Sequence, residues 1–525
     1  MARVLVTETI AEPGLEALRE AGHAVDVALD LSPAGLLNAV RGAAALVIRS
    51  ATQVSAEVLE AGGDLVVVGR AGIGLDNVDL TAATRRGVLV VNAPQSNVIS
   101  AAEHTLALIL AQARNVPQAH AALVAGRWER SRWEGIELYG KTLGVVGLGR
   151  VGALVAQRAA AFGMRLVAYD PYVAADRARQ MGVELMALVD IVREADFLTI
   201  HLPKTPETVG LIGAELLAEA KPDLRIVNTA RGGIIDEAAL AESLAAGQIG
   251  GAGVDVWATE PTTVSPLFAL DNVVVTPHLG ASTREAQDKA GVTIAEQVVL
   301  ALAGEFVPLA VNIAAAEVDQ AVREFLPVAE RLGRVWAGLT RELPASLEVS
   351  YQGGLAEHDT RLLTLGVLKG VCSVATDEPV SYVNAPQLAE ERGLTVRSSV
   401  ASASHDYVNL VTLRGGDHAV AGTTFAGGPG GVEARLVMVD DHALELPIAR
   451  WMLMVHNDDR IGMVAQVAGI LAGARLNIAD LKLGRTGDGK TAMMALSFEE
   501  PVPTEVTATL RATPGILDAV ALSEV

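Results

Sequence analysis

Cysteine is almost absent from this 525-residue sequence: Cys372 stands alone, so no disulfide can form within the chain, which suits a reducing, cytoplasmic setting. Aromatic residues make up only 3%, and half of the residues are apolar. The core must therefore be built from Ala, Val, Leu and Gly, as in parallel sheets covered by closely packed helices. A basic surplus is lacking too. The formal charge of -21 excludes a nucleic-acid surface, and an anionic ligand would need a local cluster of arginines. No apolar run is long enough for a membrane: the longest, TLALILAQA at 105–113 between His104 and Arg114, falls well short of the ~20 residues a spanning helix requires. RVLVTE near the start reads as a strand rather than a signal peptide. There are no heptads, low-complexity tracts or tandem repeats, and no residues are assigned to a metal.

What is present is alternation. Apolar runs at 4–6, 25–28, 46–48, 66–68 and 88–91 are separated by Ala/Leu-rich helical stretches, the pattern of a doubly wound parallel sheet whose ligands collect at the carboxyl ends of its strands. A helix over about 99–113 looks like a hinge between two lobes. From residue 141 a second alternation begins, with runs at 143–146, 166–169, 197–200, 226–227, 253–256 and 273–275. Their ends deliver Gly147, Asp170, His201, Arg231, Asp255 and His278 to one rim. A helix over 284–302 returns the chain to the first lobe, and VPLAVNI at 307–313 leads out of it. The expected division is 1–98 plus 283–313, 99–282, 314–450 and 451–525. The last of these reads as strand, helix, strand, strand, helix, strand. GGPGG at 427–431 lacks a following Lys-Ser/Thr and does not read as a phosphate-binding loop.

VVGLGRVG at 145–152 follows a strand and opens a helix over 153–161, placing a GxGxxG at Gly147, Gly149 and Gly152. The first glycine allows a tight turn, the second lets backbone approach a pyrophosphate, and the third permits close helix–strand packing. Asp170 ends the next strand about 20 positions on, where a carboxylate receives ribose hydroxyls and repels a 2′-phosphate, favouring NAD over NADP. Three residues on successive strand ends supply the chemistry for oxidising a 2-hydroxy acid. His278 is the base for the hydroxyl proton, Arg231 grips the carboxylate and polarises the forming carbonyl, and Glu260 orients the imidazole and stabilises its charged form. Arg49-Ser50 and Arg70 end strands of the first sheet and form a dianion clamp, with Asn97 at the mouth of the hinge helix. A structural salt bridge is the lesser alternative for Arg49 and Arg70.

GLGRVG, HLPKTPET (201–208), NTARGGIIDEAAL (228–240), GVDVWATEP and TPHLGAST together resemble the D-isomer-specific 2-hydroxy acid dehydrogenase family. GRAGIGLDNVD (69–79), VIRS and the tail are similar to its long, phosphoglycerate-oxidising branch, and the likeness runs over essentially the whole chain. The resemblance implies a flavodoxin-like substrate lobe, a Rossmann NAD lobe, an α+β intervening domain and a ferredoxin-like ACT domain. It implies NAD-dependent oxidation of 3-phospho-D-glycerate to 3-phosphohydroxypyruvate, the first step of L-serine biosynthesis, with Arg231, Glu260 and His278 as the catalytic trio. It adds cofactor contacts from Arg150, Val151, Leu202, Thr229, Ala230, His278 and Gly280, and from Asp255 to the nicotinamide carboxamide. It also implies a homo-oligomer, dimeric through the NAD domain and tetrameric overall. Arg130 in GRWERSRW (126–133) would complete a neighbouring subunit's phosphate pocket, although a dimer-packing loop with solvated arginines reads equally well. L-serine would be the effector, held by Asp459 and Asn477, the alternative being a purely oligomerising module. Three positions depart from the family pattern: Ile73 where Thr is common, Ile461 where Pro is typical, and Asn457.

Two rival readings stay open. A glyoxylate/hydroxypyruvate reductase would share the trio but need neither the Arg49/Arg70 clamp nor the sensing tail. An NAD-sensing binding protein on the same scaffold would make catalysis secondary.

Overall fold

The computed structural model describes residues 1–313, 319–340, 342–376, 378–404, 406–426, 432–486 and 489–525. GGPGG at 427–431 lies outside the described residues. Four sheets account for the strands. The first has five parallel strands in the spatial order Ala24–Val27, Arg3–Val6, Ala45–Ile48, Val67–Arg70, Leu89–Asn92, a flavodoxin-like winding. Its strands are short and largely apolar on both faces, as helices on both sides require: the central Ala45–Ile48 and the edge strand Leu89–Asn92 are buried at every position.

The second sheet has seven parallel strands. Thr142–Val146 lies at its middle, with Arg165–Tyr169 and Glu184–Leu185 on one side and Phe197–Ile200, Arg225–Asn228, Gly251–Val254 and Val273–Val275 on the other. The winding reverses between Thr142–Val146 and Phe197–Ile200, and that switch point opens the crevice in which such sheets bind ligands. Most expected strands lie within two residues of their places. The strand expected at 253–256 is Gly251–Val254, so Asp255 and Val256 are loop residues. The helix expected to start at 153 begins at Arg150, directly on the glycine turn. Glu184–Leu185 and the helix Val116–Val124 are additional.

Helix Val98–Arg114 joins the lobes, and helix Arg284–Leu302 brings the chain back. The return helix meets helix Glu12–Glu20 at near-contact of backbones: a Cβ on Gly14 would stand 2.7 Å from the carbonyl carbon of Gly291. The exit segment is pinned to the edge of the first sheet, where Val311 N–H donates to the Val90 carbonyl at 2.9 Å. Asn312 receives Val90 N–H at 3.0 Å and donates to the Val88 carbonyl at 2.9 Å.

Beyond it, helices Gln320–Leu339 and Arg361–Ala375 cover one face of a mixed six-stranded sheet, with Trp336 and Tyr351 fully buried between them. The last unit runs strand Trp451–Asp458, helix Met463–Gly473, strands Asp480–Arg485 and Thr491–Phe498, helix Thr504–Arg511 and strand Ile516–Ser523. Its four antiparallel strands have ferredoxin-like order. No helix among the described residues is long and apolar enough to cross a membrane. Because the Gly14–Gly291 crossing leaves no room for a side chain, Gly14→Val is expected to cost about 1–3 kcal/mol through overpacking, read as a lowered thermal midpoint.

Candidate active site

The glycine turn is built as the motif requires. Gly147 has φ 95°, a left-handed conformation open to glycine, and a Cβ there would strike the His201 carbonyl at 2.6 Å. A Cβ on Gly152 would collide with the carbonyl oxygen of Gly147, so the helix can leave the turn only if that position is bare. Gly149 faces open space, which leaves backbone approach to a phosphate unobstructed at the N-terminus of helix Arg150–Ala161. The Asp170 carboxylate accepts Leu148 N–H at 2.8 Å and Tyr172 N–H at 2.9 Å, which fixes it beside the turn. Val151 and Leu202 are half-buried, and Leu202 packs close to Gly147. Arg150 is exposed and reaches the Pro94 carbonyl of the other lobe at 3.4 Å. These residues fit a dinucleotide.

On the same rim, His278 Nδ1 lies 2.6 Å from Glu260 Oε2, while Glu260 Oε1 accepts Trp257 N–H at 2.8 Å. Burial would raise the Glu260 pKa, but the hydrogen bonds from His278 and Trp257 outweigh it and hold the carboxyl below its ordinary value. The pair leaves Nε2 of the imidazole as the nitrogen available to a substrate. His278 adopts φ 57°, strained for a residue with a side chain. What holds it there is Asp255. His278 N–H donates to the Asp255 carbonyl at 2.8 Å, and the Asp255 carboxylate accepts Leu279 N–H at 2.7 Å, Gly280 N–H at 2.9 Å and the Thr276 hydroxyl at 2.6 Å.

Asp255 has 0% exposure, and its carboxylate braces the 278–280 loop. Burial would raise its pKa, yet the hydrogen bonds from His104, Thr276 and Leu279 keep it below the usual range. Thr229 is likewise buried, its hydroxyl 2.7 Å from that of Thr105. Ala230 N–H donates to the Asn228 side chain at 3.0 Å. His201, at the end of its strand, is kept neutral: desolvation pushes its pKa down to about 3.

Three cations meet at this rim, Arg49 and Arg70 from the first lobe and Arg231 from the second. Arg231 Nε is 3.3 Å from Asp76 Oδ2 across the cleft, and the bare positions Gly72 and Gly74 make room for the guanidinium groups of Arg70 and Arg231, which a Cβ at either would strike. Desolvation and the charges of Arg231 and Arg49 lower the Arg70 pKa to about 10, against the opposing pull of Asp76 and Glu8. Arg70 Nε is buried without a hydrogen-bond partner, and so is Oδ1 of Asn97. Unpaired buried donors and acceptors beside concentrated positive charge fit an anionic, hydroxyl-bearing ligand. Ser50 is exposed at the lip, and Arg130 is exposed in its own loop.

Glu8, Asp76 and His104 have parts that the sequence reading missed. Glu8 follows the first strand and accepts Arg49 N–H at 2.8 Å, Thr52 N–H at 2.9 Å and Ala51 N–H at 3.1 Å. Its position after a buried strand, beside Thr7, was the available signal. In the last unit, Asp459 is paired with Arg485 at 3.2 Å, Asn477 is exposed, Ile461 is fully exposed and Asn457 is buried. No group of residues suited to a metal occurs among the described residues.

The family model described as "D-isomer specific 2-hydroxyacid dehydrogenase, NAD binding domain" matches residues 106–280. A "D-3-phosphoglycerate dehydrogenase intervening domain" model matches 321–440, and an "ACT domain" model matches 451–515. D-3-phosphoglycerate dehydrogenase of Mycobacterium tuberculosis (strain ATCC 25618 / H37Rv) is 49% identical over 482 residues, covering 91% of each chain. That of Methanocaldococcus jannaschii is 39% identical over 530 residues and covers 100% of both. Among solved structures, D-lactate dehydrogenase from Escherichia coli superposes with a TM-score of 0.54 at 29% identity, over 59% of this chain and 99% of its own. The Aquifex aeolicus D-lactate dehydrogenase complexed with NAD and lactic acid gives 0.52 at 26% identity, over 57% and 96%.

Two outcomes follow from this geometry. Asp170→Ala should relax the preference for NAD, measured as the ratio of kcat/KM for NAD and NADP; an unchanged ratio refutes the assignment. Burial would raise the Glu8 pKa, but the three backbone donors lower it in the folded state. Its stabilising effect is therefore present above the ordinary carboxylate value and lost as pH falls through the folded one. The stability gap between the parent and Glu8→Gln, followed by denaturant unfolding, should accordingly shrink as pH falls below the ordinary carboxylate value of 4.5.

Proposed function

This chain belongs to the D-3-phosphoglycerate dehydrogenase family, within the D-isomer specific 2-hydroxyacid dehydrogenases, and from that premise we propose how its cleft oxidises 3-phospho-D-glycerate to 3-phosphohydroxypyruvate. The protein is an NAD-dependent oxidoreductase, and the reaction is the first step of L-serine biosynthesis. The observation that carries the substrate assignment is the meeting of Arg49, Arg70 and Arg231 opposite the His278–Glu260 pair in a chain of net charge -21.

The 147–152 turn would hold the pyrophosphate of NAD and Asp170 its ribose, and NAD would supply the hydride acceptor. Backbone around Leu202, Thr229, Ala230 and Gly280, with Arg150 and Val151, would line the site. Arg231 binds the C1 carboxylate of the substrate, which competes with Asp76 for the guanidinium, and polarises the C2 oxygen as it becomes a carbonyl. His278 Nε2 takes the C2 hydroxyl proton, and Glu260 receives the Nδ1–H and balances the imidazolium charge. Because Glu260 is held below its ordinary pKa, it stays ionised at neutral pH beside the imidazole. Arg49, Ser50 and Arg70 take the phosphate, Asn97 donates or accepts at the substrate's hydroxyl end, and Arg130 of a neighbouring copy completes the pocket. Arg70 is partly desolvated before substrate arrives, so its charge acts in a medium that screens it weakly.

We divide the chain into a substrate lobe (1–98 and 283–313), an NAD lobe (99–282), an intervening domain (314–450) and an ACT domain (451–525). L-serine is the effector we assign to the last, at Asp459 and Asn477, where its ammonium competes with Arg485 for Asp459. A homo-oligomer joined through the NAD lobe suits the exposed apolar residues Val116, Leu123, Val124 and Trp128. The single buried cysteine suits a cytoplasmic enzyme.

NADH formation with 3-phosphoglycerate, with and without serine, tests the reading. Turnover of unphosphorylated glycerate at an equal rate would instead indicate a generic hydroxy acid reductase, and no turnover a binding protein. His278→Ala should cut kcat by about a hundredfold or more while NADH affinity, followed by fluorescence, stays within about twofold. Activity within a few-fold of the parent would remove His278 from its role.

A further inference from the structure

The helix between the lobes presents polar side chains to the loops that carry the reacting groups. From helix Val98–Arg114, His104 Nε2 lies 3.2 Å from Asp255 Oδ1 and 3.1 Å from the Thr276 hydroxyl, and the Thr105 hydroxyl lies 2.7 Å from that of Thr229. Ser100 is 2.7 Å from Thr283, and Gln112 donates to the Ala252 carbonyl. The one-turn spacing of Ser100 and His104, with Thr105 alongside, puts these groups on one helix face. Both catalytic loops are thus tied to the same helix, the Arg231 loop through Thr229 and the His278 loop through Asp255 and Thr276.

We propose that His104 is a positioning residue for the reaction, holding Asp255 so that the 278–280 loop keeps His278 in its strained backbone conformation with Nε2 directed into the cleft. His104 touches neither substrate nor cofactor in this scheme and acts through Asp255. The proposal rests on the catalytic reading of His278.

The physical logic is a closed chain of contacts. A residue at φ 57° with a side chain relaxes unless its surroundings over-determine it. Here the restraint comes from the Asp255 carbonyl on His278 N–H and from the Asp255 carboxylate on Leu279 N–H and Gly280 N–H. The orientation of that carboxylate is in turn set by two side chains, Thr276 from its own loop and His104 from the hinge helix. Only His104 comes from outside the Rossmann strand ends. It therefore couples the angle of the helix that separates the lobes to the placement of the base. Glu260 is already paired with His278 and Trp257 and does not compete for the His104 imidazole.

The test uses the full-length protein with 3-phosphoglycerate and NAD. His104→Ala removes the donor. His104→Gln supplies an N–H of comparable reach. Misplacing a reacting group by about 1 Å can cost about a hundredfold in rate. The expected result for His104→Ala is a fall in kcat of about tenfold to a hundredfold, with KM for 3-phosphoglycerate and NADH affinity within about twofold of the parent. His104→Gln should recover most of the lost kcat. A kcat within about twofold of the parent for His104→Ala would overturn the proposal. So would a loss that appears equally in NADH affinity and thermal midpoint and that Gln does not recover, since that pattern marks a purely structural residue. His278→Ala, measured alongside, separates the two claims. If His278→Ala retains near-parent turnover, the catalytic reading fails. If it is inactive while His104→Ala is unimpaired, only the positioning role fails.

Discussion

A carboxylate with no access to water organises the reacting centre. Asp255 accepts hydrogen bonds from two backbone amides and a hydroxyl while its own carbonyl receives His278 N–H, and so it holds a histidine in a backbone conformation that side chains avoid. Burying an ionised group is tolerable only when its lone pairs are filled, and here every donor that fills them belongs to, or abuts, the loop that must be held. The burial of Asp255 and the placement of His278 therefore rest on the same set of hydrogen bonds. Glu260, loaded by Trp257 N–H, extends that set to the imidazole itself.

Opposite this braced rim, the first lobe supplies charge rather than rigidity. Arg49 and Arg70 leave the ends of adjacent strands, Glu8 ties down the backbone that presents Arg49, and glycines at 72 and 74 let two guanidinium groups approach backbone closely. Burial first, and then the charges of Arg231 and Arg49, lower the Arg70 pKa to about 10, and a dianion entering there would oppose both. A chain with a large negative charge can thus attract a negative substrate, because the field that matters is set within a few ångströms by desolvated cations.

The division of labour explains the lobe architecture. Each parallel sheet delivers its strand ends to one edge, and two sheets facing across a hinge helix bring two such edges together. The return helix and the glycine crossing at Gly14 and Gly291 anchor the first lobe after the chain has built the other, so the polypeptide closes a loop around the cleft.

Much of this was written in local patterns. The buried strands, the glycine turn, Asp170, and the order of Arg231, Glu260 and His278 follow from hydrophobic runs ending in polar residues, because a parallel sheet forces consecutive strand ends to one rim. The likeness of whole motifs to a known family carried the substrate. Local sequence is silent on contacts between segments distant along the chain. Asp255 reads as another strand-end acid, and only packing reveals the hydrogen bonds that its oxygens accept from residues 276–280. Glu8 reads as a loop acid, Asp76 as part of a turn, and His104 as the polar flank of an apolar run. Each acquires its role from a partner more than twenty residues away, and such partnerships are settled by tertiary structure, since hydrogen-bond geometry depends on where lobes and helices come to rest rather than on the order of residues.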